Sequence, residues 1–188
     1  MCIRDSSFTY SQGLSLARVD TECVIEHPGV RFDFLSAYFL RLREHLDQST
    51  FIHHKVGGSS SRQHFKGILD NSSRAVFSGR IRIEKGAQKA VSEQLNNNLL
   101  LSNMAEADSK PQLEIYADDV KATHGATVGS IDEEELFYLM SRAISARQAR
   151  SMVAQGFLSG LVPAGLDQRV QGFLRKTMKE QLVEVGLP

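Results

Sequence analysis

The chain contains no tryptophan, only two cysteines and only four prolines among its 188 residues. Two cysteines, Cys2 and Cys23, cannot build the disulfide framework of a small secreted protein, so their number fits a reducing compartment and predicts a cytoplasmic protein. No run of about 18 apolar residues offers a membrane-spanning helix. The 22 basic and 22 acidic residues balance, which gives no reason to expect nucleic acid or an anionic membrane as partner. A protein or a small ligand is the expected partner.

Motifs of several catalytic classes are missing as well. There is no GxxxxGK[ST] phosphate loop, and the segment 57–61, GGSSS, lacks the lysine that would contact phosphate. Neither HExxH nor CxxC occurs. Asp118 and Asp119 are adjacent, so in a strand their carboxylates would point to opposite faces and could not flank a glycosidic bond. We therefore predict no catalytic residues, and a β-helical carbohydrate-active enzyme remains only as an alternative.

The first residues, MCIRD, match the peptide encoded by a widely used sequencing-library adapter read as codons. We interpret residues 1–6 as an adapter artefact and expect the native chain to continue upstream. The β-rich core would then be truncated at its N-terminal side. The nucleotide record tests this interpretation directly.

Residues 7–129 show short strands separated by turn residues, with no helical period of useful length. In the clearest strand, from Arg74 to Glu84, apolar or small side chains alternate with polar ones. The residues of its predicted inward face are Ala75, Phe77, Gly79, Ile81 and Ile83. The segment 96–98, NNN, is expected to form a polar turn. Many short strands at even spacing indicate a sandwich, a barrel or a β-solenoid, and the pattern alone does not choose among them.

The apolar spacing changes from two to three and four at Ser130. Ser130-Ile131-Asp132-Glu133 has the form of a capping box, which predicts that Ser130 caps the first helix. Two further helices are predicted at about 146–161 and 167–183, each with an apolar stripe. Such a stripe must be covered by another part of the chain or by a partner.

His124 lies in the middle of a row of small residues. From Val120 the sequence alternates with a period of two, so His124 shares one strand face with Ala122 and Ala126. That face is predicted to be the buried one. A neutral imidazole there is either a hydrogen-bonded core residue or a ligand for something bound beside it.

Several separated motifs occur in an order found in one known family. They are SSRQHFKGIL, RAVFSGRI, NNNLLLS and PQLEIYADDVKATHGATVGSIDEEELFYLMSRAI. Together they resemble the SufB/SufD family, which builds iron–sulfur clusters, and the HGATVG form is closer to the SufD branch. The resemblance implies a mainly β chain, with a right-handed parallel β-helix over residues 7–129 and a small α-helical domain over residues 130–188.

The resemblance also implies partners and a role. Members act as noncatalytic scaffold subunits of the SufBCD complex, in which SufD pairs with SufB through the β-helix and binds the ATPase SufC through its C-terminal helices. His124 matches the histidine that the family places at the SufB–SufD interface, where the transient cluster assembles, so it is the candidate cluster or metal ligand. The candidate contacts to partners are Leu136, Phe137, Tyr138, Met140, Met152 and Phe157.

One position departs from the family pattern. Relatives often carry cysteine two residues before this histidine, whereas this chain has Ala122. Iron–sulfur clusters need about four ligands, most of them thiolates, and Cys23 is the one credible native thiol, so the chain is not expected to hold a cluster alone. A β-helical interaction module that has lost cluster chemistry is therefore the alternative function.

Overall fold

The computed structural model describes residues 3–13, 15–158, 160–162 and 167–184. Within these residues the chain forms nine strands followed by three helices. The strands are β1 (Ile3–Gln12), β2 (Leu16–Ile25), β3 (Val30–Leu40), β4 (His45–His54), β5 (Ser60–Leu69), β6 (Arg74–Ile83), β7 (Val91–Leu100), β8 (Glu106–Ile115) and β9 (Lys121–Ser130). The helices are α1 (Glu133–Met140), α2 (Ala146–Leu158) and α3 (Gln168–Glu184).

Every strand pairs in parallel with the strand two places away along the chain. The odd-numbered strands form a five-stranded sheet in the order β1-β3-β5-β7-β9, and the even-numbered strands form a four-stranded sheet in the order β2-β4-β6-β8. The chain thus passes from one sheet to the other and back, and each turn stacks on the turn before it. The predicted parallel β-helix, a β-solenoid followed by helices, is confirmed.

Alternate side chains of each strand fill the space between the two sheets. The inward face predicted for β6 is confirmed, since Phe77 is 2% exposed and Ile81 and Ile83 are 0% exposed. Aromatic rings contact one another along this core. The ring centroids of Phe34 and Phe65 are 5.2 Å apart in an edge-to-face arrangement, and those of Phe65 and Phe77 are 4.8 Å apart with tilted rings. Burial of this apolar surface holds one turn on the next.

Polar residues also enter the core, and one prediction fails there. Asn96 and Asn98 do not form a turn but lie on the inward face of β7, where they are 1% and 4% exposed. Asn98 donates a hydrogen bond to Oδ1 of Asn96 at 2.7 Å, and the hydroxyl of Tyr38 donates to Oδ1 of Asn98 at 2.5 Å. The asparagines are tolerated inside because their amides bond to one another and to the tyrosine.

The helices cover one end of the outer face of the five-stranded sheet. A single apolar cluster joins the sheet to all three helices. Its buried members from the sheet are Leu35, Ala37, Phe39, Ile68 and Leu99, and those from the helices include Leu136, Ala149, Ala154, Leu158, Leu174, Met178 and Leu182. Much of the predicted apolar stripe is therefore internal core.

The first helix begins two residues later than the sequence predicts. Ser130 is the last residue of β9, and the capping residue is Asp132, whose carboxylate accepts from the backbone N–H of Glu134 at 2.8 Å. Asp is as good a capping residue as Ser, so the S-x-x-E pattern identified the region but not the residue. The third helix is capped in the same way by Asp167, which accepts from the N–H of Arg169 at 2.8 Å. The predicted helix end at Pro163 lies outside the described residues.

Candidate functional site

His124 lies on the last strand of the five-stranded sheet. It pairs with Gln94 of β7, which pairs with Gln63 of β5, which pairs with Phe34 of β3. Paired residues of a parallel sheet point to the same face, and Phe34, Gln63 and Gln94 are all buried between the sheets. His124 is therefore on the inward face, as the alternation predicts.

The prediction that His124 is buried is wrong for this chain. Its side chain is exposed, as are those of Ala126 and Val128 on the same face of β9. The reason is that β9 ends the strand order, so within the described residues no further turn stacks on it. An inward face without a covering turn becomes an open end of the solenoid, and His124 is presented there.

Small and apolar side chains surround the imidazole at this open end. Ala122, two residues earlier, is half-buried and packs against the core, whereas Val128 is 48% exposed. On the neighbouring sheet the last strand also ends in an exposed apolar group, Ile115, at 42%. An edge strand with unpaired backbone groups and apolar neighbours is a template for pairing with another chain.

The chain offers few ligands for metal. Among the residues that the structure describes, no group of three or more His, Cys, Asp or Glu side chains comes together as a metal site. Cys23 lies half-buried on β2, in the first turn of the solenoid, and burial raises the pKa of its thiol. Desolvation of this kind disfavours the thiolate that would bind iron. His124 thus belongs to no such group, and it lies far in the strand order from the thiol.

His53 and His54, two adjacent histidines of β4, each lie within hydrogen-bond distance of other side chains. His54 is buried, with Nδ1 2.9 Å from Oγ of Ser59 and Nε2 2.8 Å from Oγ of Ser61, and burial lowers its pKa to about 4. His53 points outward, with Nε2 2.9 Å from a carboxylate oxygen of Glu84. The two adjacent side chains thus lie on opposite faces of β4.

The helices present a second surface, and its candidate contacts divide into two groups. Phe137, Tyr138, Met140 and Met152 are 73%, 56%, 46% and 49% exposed. Leu136, in contrast, is 5% exposed within the cluster that joins helices and sheet, so its side chain has no surface to offer a partner. This corrects its assignment as a contact residue.

Phe157 also belongs mainly to the inside. It is half-buried against the same cluster, and its ring centroid lies 5.2 Å from Nζ of Lys66 on β5. Beside it a groove of about 460 Å³ runs between the end of β9 and the first two helices, with Leu139 and Met152 among its walls. Phe157 therefore contributes to the wall of a groove rather than to the exposed apolar patch.

Sequence reasoning missed two polar features. The first is the pair Gln63 and Gln94, each 0% exposed, in which neither the amide nitrogen nor the amide oxygen has a hydrogen-bond partner among the described residues. The second is Asp33, 2% exposed, whose carboxylate lies 3.0 Å from Nε of Arg62 and 3.4 Å from Nε of Arg31. In the alternation of their strands, the two glutamines stand where an apolar residue is expected, and Asp33 stands where a solvated charge is expected. No local sequence pattern therefore marks them.

Within the described residues, no helix is long and apolar enough to cross a membrane.

Comparison with known proteins assigns the family. The family profile described as "SUF system FeS cluster assembly, SufBD core domain" matches residues 4–157. The iron–sulfur cluster assembly protein SufD of Escherichia coli (strain K12) is 48% identical over 128 residues, which are 66% of this chain and 30% of that protein. A SufBD family protein of Synechocystis is 33% identical over 165 residues, 87% of this chain and 36% of that protein.

SufD of Bacillus subtilis is 40% identical over 119 residues, 63% of this chain and 25% of that protein. The chain thus spans about a third or less of the length of these relatives. The matched residues cover all nine strands from Arg4 onward, the open end with His124 and the first two helices. The chain belongs to the SufBD family of the SUF system for iron–sulfur cluster assembly.

Proposed function

We propose that this chain acts as a noncatalytic scaffold subunit of a SufBCD complex in the cytoplasm. It pairs with SufB through the open end of the solenoid, and it binds the ATPase SufC through its C-terminal helices. It holds no cluster alone, and His124 contributes one ligand, or one orienting group, to a transient iron–sulfur cluster shared with SufB. The observation that carries the proposal is the exposure of His124 on an inward strand face.

The surroundings of His124 support the pairing with SufB. Its imidazole is accompanied by exposed Val128 and by the unpaired edge of β9, so a second solenoid could cover the apolar groups while it brings its own ligands to the histidine. Since the described residues bring no group of three or more ligands together, a partner must supply most of the ligands of a cluster bound at His124.

The helices support the second partner. Phe137 and Tyr138 are large exposed aromatics on adjacent positions of α1, and Met140 and Met152 extend the apolar surface beside the groove. Aromatic and methionine side chains are enriched at protein interfaces, and a few large side chains carry most of the binding energy there. We assign this patch to the ATPase.

The test is the substitution His124→Ala in the chain extended to its natural N-terminus and co-purified with SufB and SufC. Anaerobic analysis of bound iron and sulfide after reconstitution measures cluster yield. His27→Ala is the matched control, because His27 is another exposed histidine but lies in the turn before β3. The proposal predicts loss of cluster with an intact complex for His124→Ala and no loss for His27→Ala.

A second function stays open because of Ala122. Without a thiol beside His124, the chain could pair with the same partners as an interaction module without cluster chemistry. In that case His124→Ala would leave the cluster yield unchanged. Failure of the full-length chain to bind SufC would contradict both functions.

A further inference from the structure

The inward side chains of β7 lie directly beneath the open end of the solenoid. Four of them are polar: Ser92, Gln94, Asn96 and Asn98, each at most 4% exposed. Their partners on β9 are Ala122, His124, Ala126 and Val128. Gln94 is thus the polar neighbour of His124 within the sheet.

Three of these four polar side chains are hydrogen-bonded. Ser92 Oγ lies 2.7 Å from Ser61 Oγ, and Asn96 and Asn98 bond to each other at 2.7 Å and to the hydroxyl of Tyr38. Gln94 differs, since neither its Oε1 nor its Nε2 has a partner among the described residues. An unpaired buried amide costs about 1–3 kcal/mol, so its presence at this position calls for a partner.

No hydrogen bond from the described residues holds the amide of Gln94 in place. The residue is 0% exposed, and its amide lies against Gly79 on the opposite sheet, where a Cβ would overlap its nitrogen. Neighbouring strands are about 4.8 Å apart, and stacked side chains of that spacing can bond along the ladder, as glutamine ladders do. Rotation of the side chain toward β9 brings the amide within reach of the imidazole.

We propose that Gln94 is the positioning residue for His124: when a partner covers the open end, Gln94 Oε1 accepts a hydrogen bond from one N–H of the imidazole. The bond fixes the tautomer, so that the other ring nitrogen is unprotonated and faces the partner. Ligating histidines usually donate their second N–H to such an acceptor, and its loss reduces metal affinity 10- to 100-fold. This inference rests on the proposed function of His124.

Gln63 provides a matched control. It is paired with Gln94 in the register of β5 and β7 and is also 0% exposed, and its amide also lacks partners among the described residues. Strand β7 separates it from His124, however, so it cannot reach the imidazole. A Leu substitution removes the same chemistry at both positions, and removal of an unpaired buried amide is not expected to unfold the chain.

The experiment uses the full-length chain, labelled with ¹⁵N-histidine and assembled with unlabelled SufB and SufC. The His124 ring signals are assigned with His124→Asn. We expect one protonated and one unprotonated ring nitrogen in the parent complex and in Gln63→Leu. Gln94→Leu should shift both signals toward the average of the two tautomers and reduce cluster retention about 10-fold.

Gln94→Glu adds a second arm, because its carboxylate also accepts a hydrogen bond and should keep the two ring signals apart as in the parent complex. Unchanged ring signals in Gln94→Leu would overturn the inference, and so would equal changes in Gln94→Leu and Gln63→Leu. Failure of the proposed function is distinguishable: His124→Ala would then leave cluster yield intact, whatever the ring signals show.

Discussion

Nε2 of His54 lies 2.8 Å from Oγ of Ser61, and that hydroxyl lies 2.7 Å from Oγ of Ser92 on the next strand of the same sheet. The other ring nitrogen of His54 lies 2.9 Å from Oγ of Ser59. The imidazole is thus bonded at both nitrogens inside the core, and its burial favours the neutral form.

This arrangement predicts a dependence of stability on pH. Burial, aided by the charge of His53, lowers the pKa of His54 from 6.5 to about 4 in the folded chain. Protonation therefore favours the unfolded state. The stability that the neutral His54 contributes is fully present above pH 6.5, and the free energy of unfolding falls by about 3 kcal/mol as the pH drops toward 4. Denaturant unfolding at several pH values measures it.

His54→Gln is the variant that tests this assignment. It keeps hydrogen-bonding groups but does not titrate, so the free energy of unfolding should vary much less between pH 6.5 and pH 4. His64, whose pKa burial also lowers, contributes in the same direction, and His64→Gln is therefore the comparison. Equal slopes in the parent chain and in His54→Gln would contradict the prediction.

Two glycines of the inner face should respond differently to alanine. A Cβ on Gly67 would overlap the ring of Tyr38 and would lie 2.6 Å from Oδ1 of Asn98, two groups held by a hydrogen bond. A Cβ on Gly79 would overlap the amide of Gln94, the end of a flexible side chain without hydrogen bonds among the described residues, and would lie 2.6 Å from Cζ of Phe77. We expect Gly67→Ala to destabilise the chain by about 1–3 kcal/mol and Gly79→Ala by less. Thermal unfolding of both variants measures the difference, and the reverse order would contradict the packing argument.

The exposed face of α1 should control affinity for the ATPase. Phe137→Asp is expected to weaken binding of SufC about 30-fold or more, as loss of a central interface aromatic does, without loss of fold, because Phe137 is 73% exposed. Phe173→Asp on α3 is the control, at 66% exposed. Calorimetric titration of the full-length variants with SufC gives both affinities. Equal weakening by the two variants would remove the special role of α1.

Lys66 connects the second helix to the sheet. Its Nζ donates to the backbone carbonyl of Phe157 at 2.6 Å and lies 5.2 Å from the centroid of that ring. Loss of this charged hydrogen bond in Lys66→Met should cost about 1–3 kcal/mol and should speed amide exchange in α2. Lys176→Met is the control, because Lys176 makes an exposed ion pair with Glu180 at 3.8 Å. Unchanged exchange in α2 after Lys66→Met would show that the apolar cluster holds the helix without it.

Local pattern determined much of this protein. Alternation in Arg74 to Glu84 identified the inward face of β6, and the change of spacing near Ser130 located the start of the helical part. These features depend on neighbouring residues along the chain, so the sequence alone contains them. The motifs around His124 likewise indicate the family without any information on the fold.

The stacking of turns was decided only by the tertiary structure. Positions that share a column, such as Phe34, Gln63, Gln94 and His124, are 29, 31 and 30 residues apart and have different side-chain types. Because aromatic, amide and imidazole groups can occupy one column, the repeat leaves no periodic hydrophobic signal. For the same reason the local pattern predicts a turn at the asparagines of β7, whereas Tyr38, which bonds to Asn96 and Asn98, comes from another turn of the solenoid.

For His124, the local sequence determines one feature of the site and the tertiary structure determines the others. Alternation places its side chain on the inward face, because successive residues of a strand point to opposite sides. Its exposure depends on β9 being the last strand of its sheet, and its neighbour Gln94 depends on the register between β7 and β9. Both are contacts between residues about 30 positions apart, and those contacts are set by the packing of whole turns rather than by the local sequence.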